Sequence, residues 1–246
     1  MPRFSLGILQ VNHDRSLEIG DRFPDDSHRF RDLLDRLEIR FDYRVYMTIG
    51  GELPESPHAH DGFLITGSHL SVLDDSLFWR EDLFAFIRAC DAEKVPLIGA
   101  CFGHQAVAVA LGGKVAKRTG GYNVGVEATR FYATKPFMHA DQPDLSFYMF
   151  HEDEVVALPD DIEVIGRSEG CAIASFAKGD HILAVQAHPE FHDSFMRAVL
   201  EFSKSAMSDD CYATALASLA RPTDGAVFAE WMAAFLTAGR AEAGGV

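Results

Sequence analysis

A cysteine at a sharp corner, and a histidine two residues ahead of a carboxylate, are the residues of this chain best suited to chemistry. In Val95-Pro96-Leu97-Ile98-Gly99-Ala100-Cys101-Phe102-Gly103-His104-Gln105 a short apolar run ends in two small residues, a cysteine and, one residue on, a glycine. The residues that follow read as a helix. This is the pattern of a strand turning abruptly into a helix with the nucleophile at the turn, where bulk is not tolerated. The sulfur then sits at a helix N-terminus, where unpaired N–H groups and the dipole favour thiolate over thiol. A cysteine after an apolar run can simply pack in a core; the small residues spaced around Cys101 argue for reactivity instead. Downstream, residues 182–187 (Ile-Leu-Ala-Val-Gln-Ala) read as a buried strand that delivers His188, with Glu190 one residue beyond Pro189. A thiolate attacking an unactivated amide needs a proton carrier and a group to orient that carrier. His188 suits the first role and Glu190 the second, and Pro189 fixes one dihedral between them.

The same stretches resemble a known family. Gly99-Ala100-Cys101-Phe102-Gly103-His104-Gln105 is similar to the nucleophile signature of the class I, triad-type glutamine amidotransferases. Ala187-His188-Pro189-Glu190-Phe191 resembles the family's second signature, and Asp61-Gly62-Phe63-Leu64-Ile65-Thr66-Gly67-Ser68 the segment carrying its oxyanion glycine. The three occur in the family's order and at its usual separations, so the resemblance spans residues 4–202. It implies a triad of Cys101, His188 and Glu190, with the backbone N–H groups of Gly67 and Phe102 binding the oxyanion. It also implies substrate contacts from Gln105 and from the chain at Phe150 and His151. There, Phe150-His151-Glu152-Asp153-Glu154-Val155-Val156-Ala157-Leu158-Pro159 resembles the family's Ser-His-Gly-Asp-x-Val-x-x-Leu-Pro. Phe150 and Glu152 replace the common Ser and Gly, a departure that alters the expected glutamine pocket.

The resemblance implies cleavage of a γ-glutamyl amide, glutamine giving glutamate and ammonia, through a γ-glutamyl thioester on Cys101 and without a cofactor. It is similar to the glutaminase part of GMP synthase, and a synthetase subunit on another chain would then accept the ammonia. The alternative is a γ-glutamyl peptidase acting on γ-glutamyl peptides or glutathione conjugates, because Cys-Phe-Gly-His-Gln resembles the elbow of stand-alone members. A catalytically silent binding or regulatory protein on the same fold is a third reading. The joint presence of Cys101, His188 and Glu190 counts against it.

Positioning these residues calls for an ordered set of elements. Residues 5–11 read as a buried strand, and Phe30, Leu33, Leu34 and Leu37 form one helical stripe. Strands at 43–47 and 62–66 follow, then a helix marked by Leu83, Phe84 and Ile87 that leads into the nucleophile strand. This rhythm specifies an α/β, flavodoxin-like fold: a mostly parallel sheet with helices on both faces. Ligands bind beyond the carboxyl ends of such strands, and Gly67, Cys101 and His188 each follow one. Residues 114–170 show short alternating runs, expected to form a small antiparallel excursion. Phe195, Val199 and Phe202 stripe a closing helix. A polar stretch at 207–225 leads to a final helix bearing Phe228, Trp231 and Phe235. The expected organisation is one domain over 1–246, a core to residue 205 with a helical extension at 206–246.

Composition bounds the alternatives. The net charge of −15 argues against nucleic acid, whose phosphates call for a basic surface. Hydrophobic residues make up 48%, ample for a core. No stretch reaches the ~18 apolar residues of a membrane span, and the first residues do not read as a signal peptide. The four cysteines are scattered, which indicates neither a disulfide framework nor a zinc site and fits a reducing cytoplasm. His58-Ala59-His60 has metal-like spacing but no third ligand nearby, so no metal is expected.

Overall fold

The computed structural model describes residues 3–138 and 144–243. In chain order it holds β1 (Phe4–Leu9), α1 (Asp26–Leu34), β2 (Phe41–Tyr46), β3 (Gly62–Ile65), α2 (Arg80–Glu93), β4 (Leu97–Ala100) and α3 (Phe102–Ala110). Next come β5 (Lys114–Lys117), β6 (Asn123–Phe131), β7 (Asp144–His151), β8 (Asp153–Ala157), β9 (Glu163–Arg167), β10 (Ser175–Lys178) and β11 (Ile182–Val185). Three helices follow: α4 (Asp193–Phe202), α5 (Asp209–Ser218) and α6 (Gly225–Ala243).

Among the described residues, nine strands make one sheet in the order β2-β1-β3-β4-β11-β10-β9-β6-β7. The first five run parallel, and the remaining four join antiparallel. The central strands β3, β4 and β11 are apolar without a polar face because both of their faces are covered. Period-two alternation sorts their side chains. Leu64, Ile98 and Val185 point to the layer that holds Phe30, Phe228 and Trp231. Ile65, Leu97 and Ala184 point to the layer that holds Leu83, Ile87 and Val107. Helices α1 and α6 thus cover one face, α2 and α3 the other. The stripe Phe228, Trp231 and Phe235 is fully buried against this chain's own sheet.

One expectation changes. The antiparallel stretch is no small excursion: β6, β7 and β9 extend the main sheet, and only β5 with β8 forms a separate two-stranded piece. Alternating short runs specify strands but not their partners, which are chosen over long sequence separations. The polar stretch before α6 contains α5, capped by the Ser208 side chain, which accepts from the Cys211 N–H at 3.2 Å. Few large apolar residues lie in it, and Ala215 is its buried contact, packed over Gly125 and helping to close a third cluster with Tyr148 and Met196. No described helix is long and apolar enough to cross a membrane.

Candidate active site

Because β3, β4 and β11 are neighbours in the sheet, the residues that follow their carboxyl ends meet. Cys101 leaves β4 with φ 50° and ψ −103°, in the left-handed half of conformational space that L residues avoid. Its N–H donates to Val185 O on β11 at 2.9 Å, which ties the corner down. The close turn depends on glycines: a Cβ at Gly99 would lie 2.5 Å from Gly103 O. Helix α3 starts at the next residue, so the sulfur stands where the first N–H groups lack intrahelical partners.

His188 is held on three sides. Its N–H donates to Tyr148 O at 2.9 Å, its Nδ1 lies 2.8 Å from Glu190 Oε1, and Phe191 stacks on its ring. With Nδ1 committed to Glu190, Nε2 is left for the hydrogen bond with Cys101. The imidazole is buried. Burial opposes its positive charge, but the adjacent sulfur, then Glu190, outweigh that cost and raise its pKa to about 10. This favours the charged imidazolium beside the sulfur. Glu190 is buried, and its second oxygen has no partner among the described residues.

Gly67 follows β3 and is wedged against both groups: a Cβ there would stand 2.7 Å from His188 Cε1 and 3.4 Å from the Cys101 Cβ. Phe102 opens α3 directly after the sulfur. Phe150 O lies 4.0 Å from Cys101 Sγ. Gln105 is buried, and its Nε2 donates to Asp153 O at 2.9 Å and Gln186 Oε1 at 3.1 Å. His151 Nδ1 donates to Asp153 O at 2.8 Å, while Asn123 Nδ2 donates to its Nε2 at 3.3 Å. Burial, with the nearby Arg118 and His188 charges, lowers its pKa to about 4 despite the Asp153 hydrogen bond, so it is neutral at pH 7. A cavity of about 710 Å³ opens over these residues; Cys101, Gln105, Phe150, His151 and His188 all line it. His58 and His60 lie elsewhere, His58 facing Glu93 and His60 between Ser5 and Tyr46.

The sequence model of the glutamine amidotransferase class-I family matches residues 49–204. The chain belongs to this family. Among class-I relatives, gamma-glutamyl peptidase 2 of Arabidopsis thaliana is 31% identical over 163 residues, covering 64% of this chain and 65% of that protein. The chain thus spans slightly less than two thirds of that relative's length. A glutamine-hydrolyzing GMP synthase of Leifsonia xyli subsp. xyli is 40% identical over 114 residues, 44% of this chain and 22% of the synthase. Among solved structures, a glutamine amidotransferase from Methylobacillus flagellatus superposes with TM-score 0.74 at 24% identity, covering 97% of this chain and 96% of that one. One from Thermotoga maritima gives TM-score 0.73 at 19% identity, covering 94% and 98%. At these identities the structural likeness is one of fold.

Around this class-I site stand residues that the sequence did not single out. Asp153, almost fully buried, accepts a hydrogen bond from Ser71 Oγ at Oδ2, while its Oδ1 has no partner among the described residues; the residue lines the cavity. Its place in the Phe150–Pro159 run was the available signal. The loop over residues 12–26 forms much of the cavity wall, and nothing in its polar sequence marks it. The N-terminus of α6 backs the histidine segment: a Cβ at Gly225 would lie 2.3 Å from Pro189 O.

Proposed function

We propose that this chain is a cysteine hydrolase of γ-glutamyl amides that works through a γ-glutamyl thioester and needs no cofactor. The observation that carries this reading is the buried alignment of Glu190, His188 and Cys101 at a strained strand-to-helix corner. The Cys101 thiolate attacks the amide carbon, and the oxyanion takes hydrogen bonds from the N–H groups of Gly67 and Phe102. His188 passes its Nε2 proton to the departing nitrogen as the C–N bond breaks, leaving the thioester and a neutral imidazole. Water then gives a proton to His188 and attacks the thioester. The C–S bond breaks, glutamate leaves and the thiolate–imidazolium pair returns. Glu190 keeps Nδ1 protonated throughout. On the glutamyl side Asp153, whose Oδ1 has no partner among the described residues, would accept the substrate's α-ammonium group, with Gln105 and His151 bracing the loop that carries it.

With ammonia as the leaving group the chain would serve a synthetase on another chain; with an amine or peptide it acts alone as a γ-glutamyl peptidase. The size of the cavity favours the second reading, as does the gamma-glutamyl peptidase relative. A reduced, cytoplasmic setting suits a thiol that must stay free. The deciding experiment is glutamate release from glutamine and from γ-glutamyl dipeptides, with Cys101→Ala as blank. Cysteine-dependent turnover supports the reading. Silence of the wild type on every γ-glutamyl compound removes it.

A further inference from the structure

Part of the cavity lining forms an apolar arm. Phe191 lies on the His188 ring with centroids 3.9 Å apart and planes at 18°. Phe195 meets Phe191 edge-on at 4.6 Å, and Phe23 meets Phe195 at 5.3 Å. An unbroken aromatic wall therefore runs away from the imidazole. Val199 and Phe202 continue it along one face of α4, spaced four and seven residues from Phe195, and line the same cavity. Phe202 is 50% exposed.

The charges lining the cavity as a whole do not suit an anion. Five carboxyl-bearing residues line the cavity against three Arg and Lys among the described residues. Arg29 is buried beside Phe195 but bound to Asp26 at 2.6 Å, and Lys117 is bound to Glu152 at 2.7 Å. Arg15 lies on the exposed part of the loop, next in sequence to Asp14, whose Oδ1 accepts from the Ser16 N–H at 2.8 Å. Asp25 is held by His28 and keeps its negative charge, since hydrogen bonds from His28, Ser27 and Gln10 outweigh burial and lower its pKa to about 2.

The geometry points to this arm as the leaving-group subsite, shaped for an amine that carries an apolar, uncharged substituent. The inference rests on the hydrolase reading above. There, His188 protonates the departing nitrogen, so the substituent on that nitrogen extends from the imidazole along the wall of Phe191, Phe195 and Phe23. The glutamyl group lies on the other side, towards Asp153. The substrate class is then the γ-glutamyl amides of aromatic or branched aliphatic amines.

The test compares kcat/KM for γ-glutamyl-benzylamide, γ-glutamyl-glycine and glutamine. Burying the ring is expected to favour the benzylamide over both by about tenfold or more. Val199→Asp should cut the benzylamide-to-glutamine ratio at least about tenfold, because it places a charge on the wall, whereas Val199→Leu should preserve it. Phe202→Asp, at a half-exposed site, repeats the test should Val199→Asp prove unfolded by its melting curve. A benzylamide no better than glutamine or the glycine amide overturns the inference while leaving the hydrolase reading intact, and so does a ratio unmoved by the aspartates. Silence on all three compounds overturns both.

Discussion

Gly67 stands so close to His188 that a methyl group on its Cα would lie 2.7 Å from the imidazole Cε1. Real Cβ atoms do not approach so closely, and His188 is pinned by Glu190, Tyr148 and Phe191, so the ring cannot step aside freely. Gly67→Ala is therefore expected to displace the imidazole from Cys101 and to lower kcat about 10²-fold, a typical cost for a misplaced reacting group. KM should move much less. Steady-state kinetics with a melting curve check this; a fully active Gly67→Ala protein would show that the glycine only turns the chain.

The His188 charge sets a pH signature. A group whose folded pKa exceeds its unfolded value adds stability that is complete below the unfolded value and is lost as pH rises through the folded one. For His188 that window runs from 6.5 to about 10. Stability should accordingly decline across this alkaline range. Removing the sulfur in Cys101→Ala, or the carboxylate in Glu190→Gln, takes away an influence that raises the pKa, so the imidazole should titrate at lower pH in both variants. Nitrogen-15 NMR of the ring reads this directly. Identical titrations in wild type and Cys101→Ala would contradict the thiolate–imidazolium pair.

Asp153→Asn keeps an oxygen for Ser71 but removes the charge beside the unpartnered position. Loss of a charge-assisted contact to the substrate's α-ammonium group should raise KM for glutamine roughly 10-fold or more. An analogue lacking the α-amino group should be cleaved equally by both proteins. Equal losses on both substrates would instead mark Asp153 as structural support for its loop.

How far this was legible in the sequence follows from how local each signal is. The corner at Cys101 and the strand before His188 are written in adjacent residues: short apolar runs, small residues at the turn, a proline between His188 and Glu190. Their meeting follows from parallel topology, which places strand ends on one edge. The cavity wall was not legible. Phe23 touches Phe195 across more than 170 residues of sequence, and its loop has no periodicity to betray an inward face. The stripe of Phe195, Val199 and Phe202 was visible, but periodicity alone does not tell a core face from a cavity face. Asp153 lay inside a charged run, and only its deeper burial distinguishes it from its half-buried neighbours Glu152 and Glu154.

Gly225 extends the site to the far end of the chain. Its backbone abuts Pro189 O, between His188 and Glu190, with no room for a Cβ at 2.3 Å. The adjoining Asp224 is anchored independently: its N–H donates to Ser146 O at 2.7 Å, and its Oδ2 accepts from the Ser146 N–H at 2.7 Å. Helix α6 behind it is buried through Phe228, Trp231 and Phe235 and cannot retreat cheaply. In Gly225→Ala the strain therefore falls on the segment carrying His188 and Glu190. The expected result is a kcat lower by about tenfold or more, with KM and melting temperature moving less, and a His188 titration shifted from that of the wild type. Wild-type kinetics in Gly225→Ala would mean that the histidine segment yields without cost, and that α6 supports the sheet rather than the site.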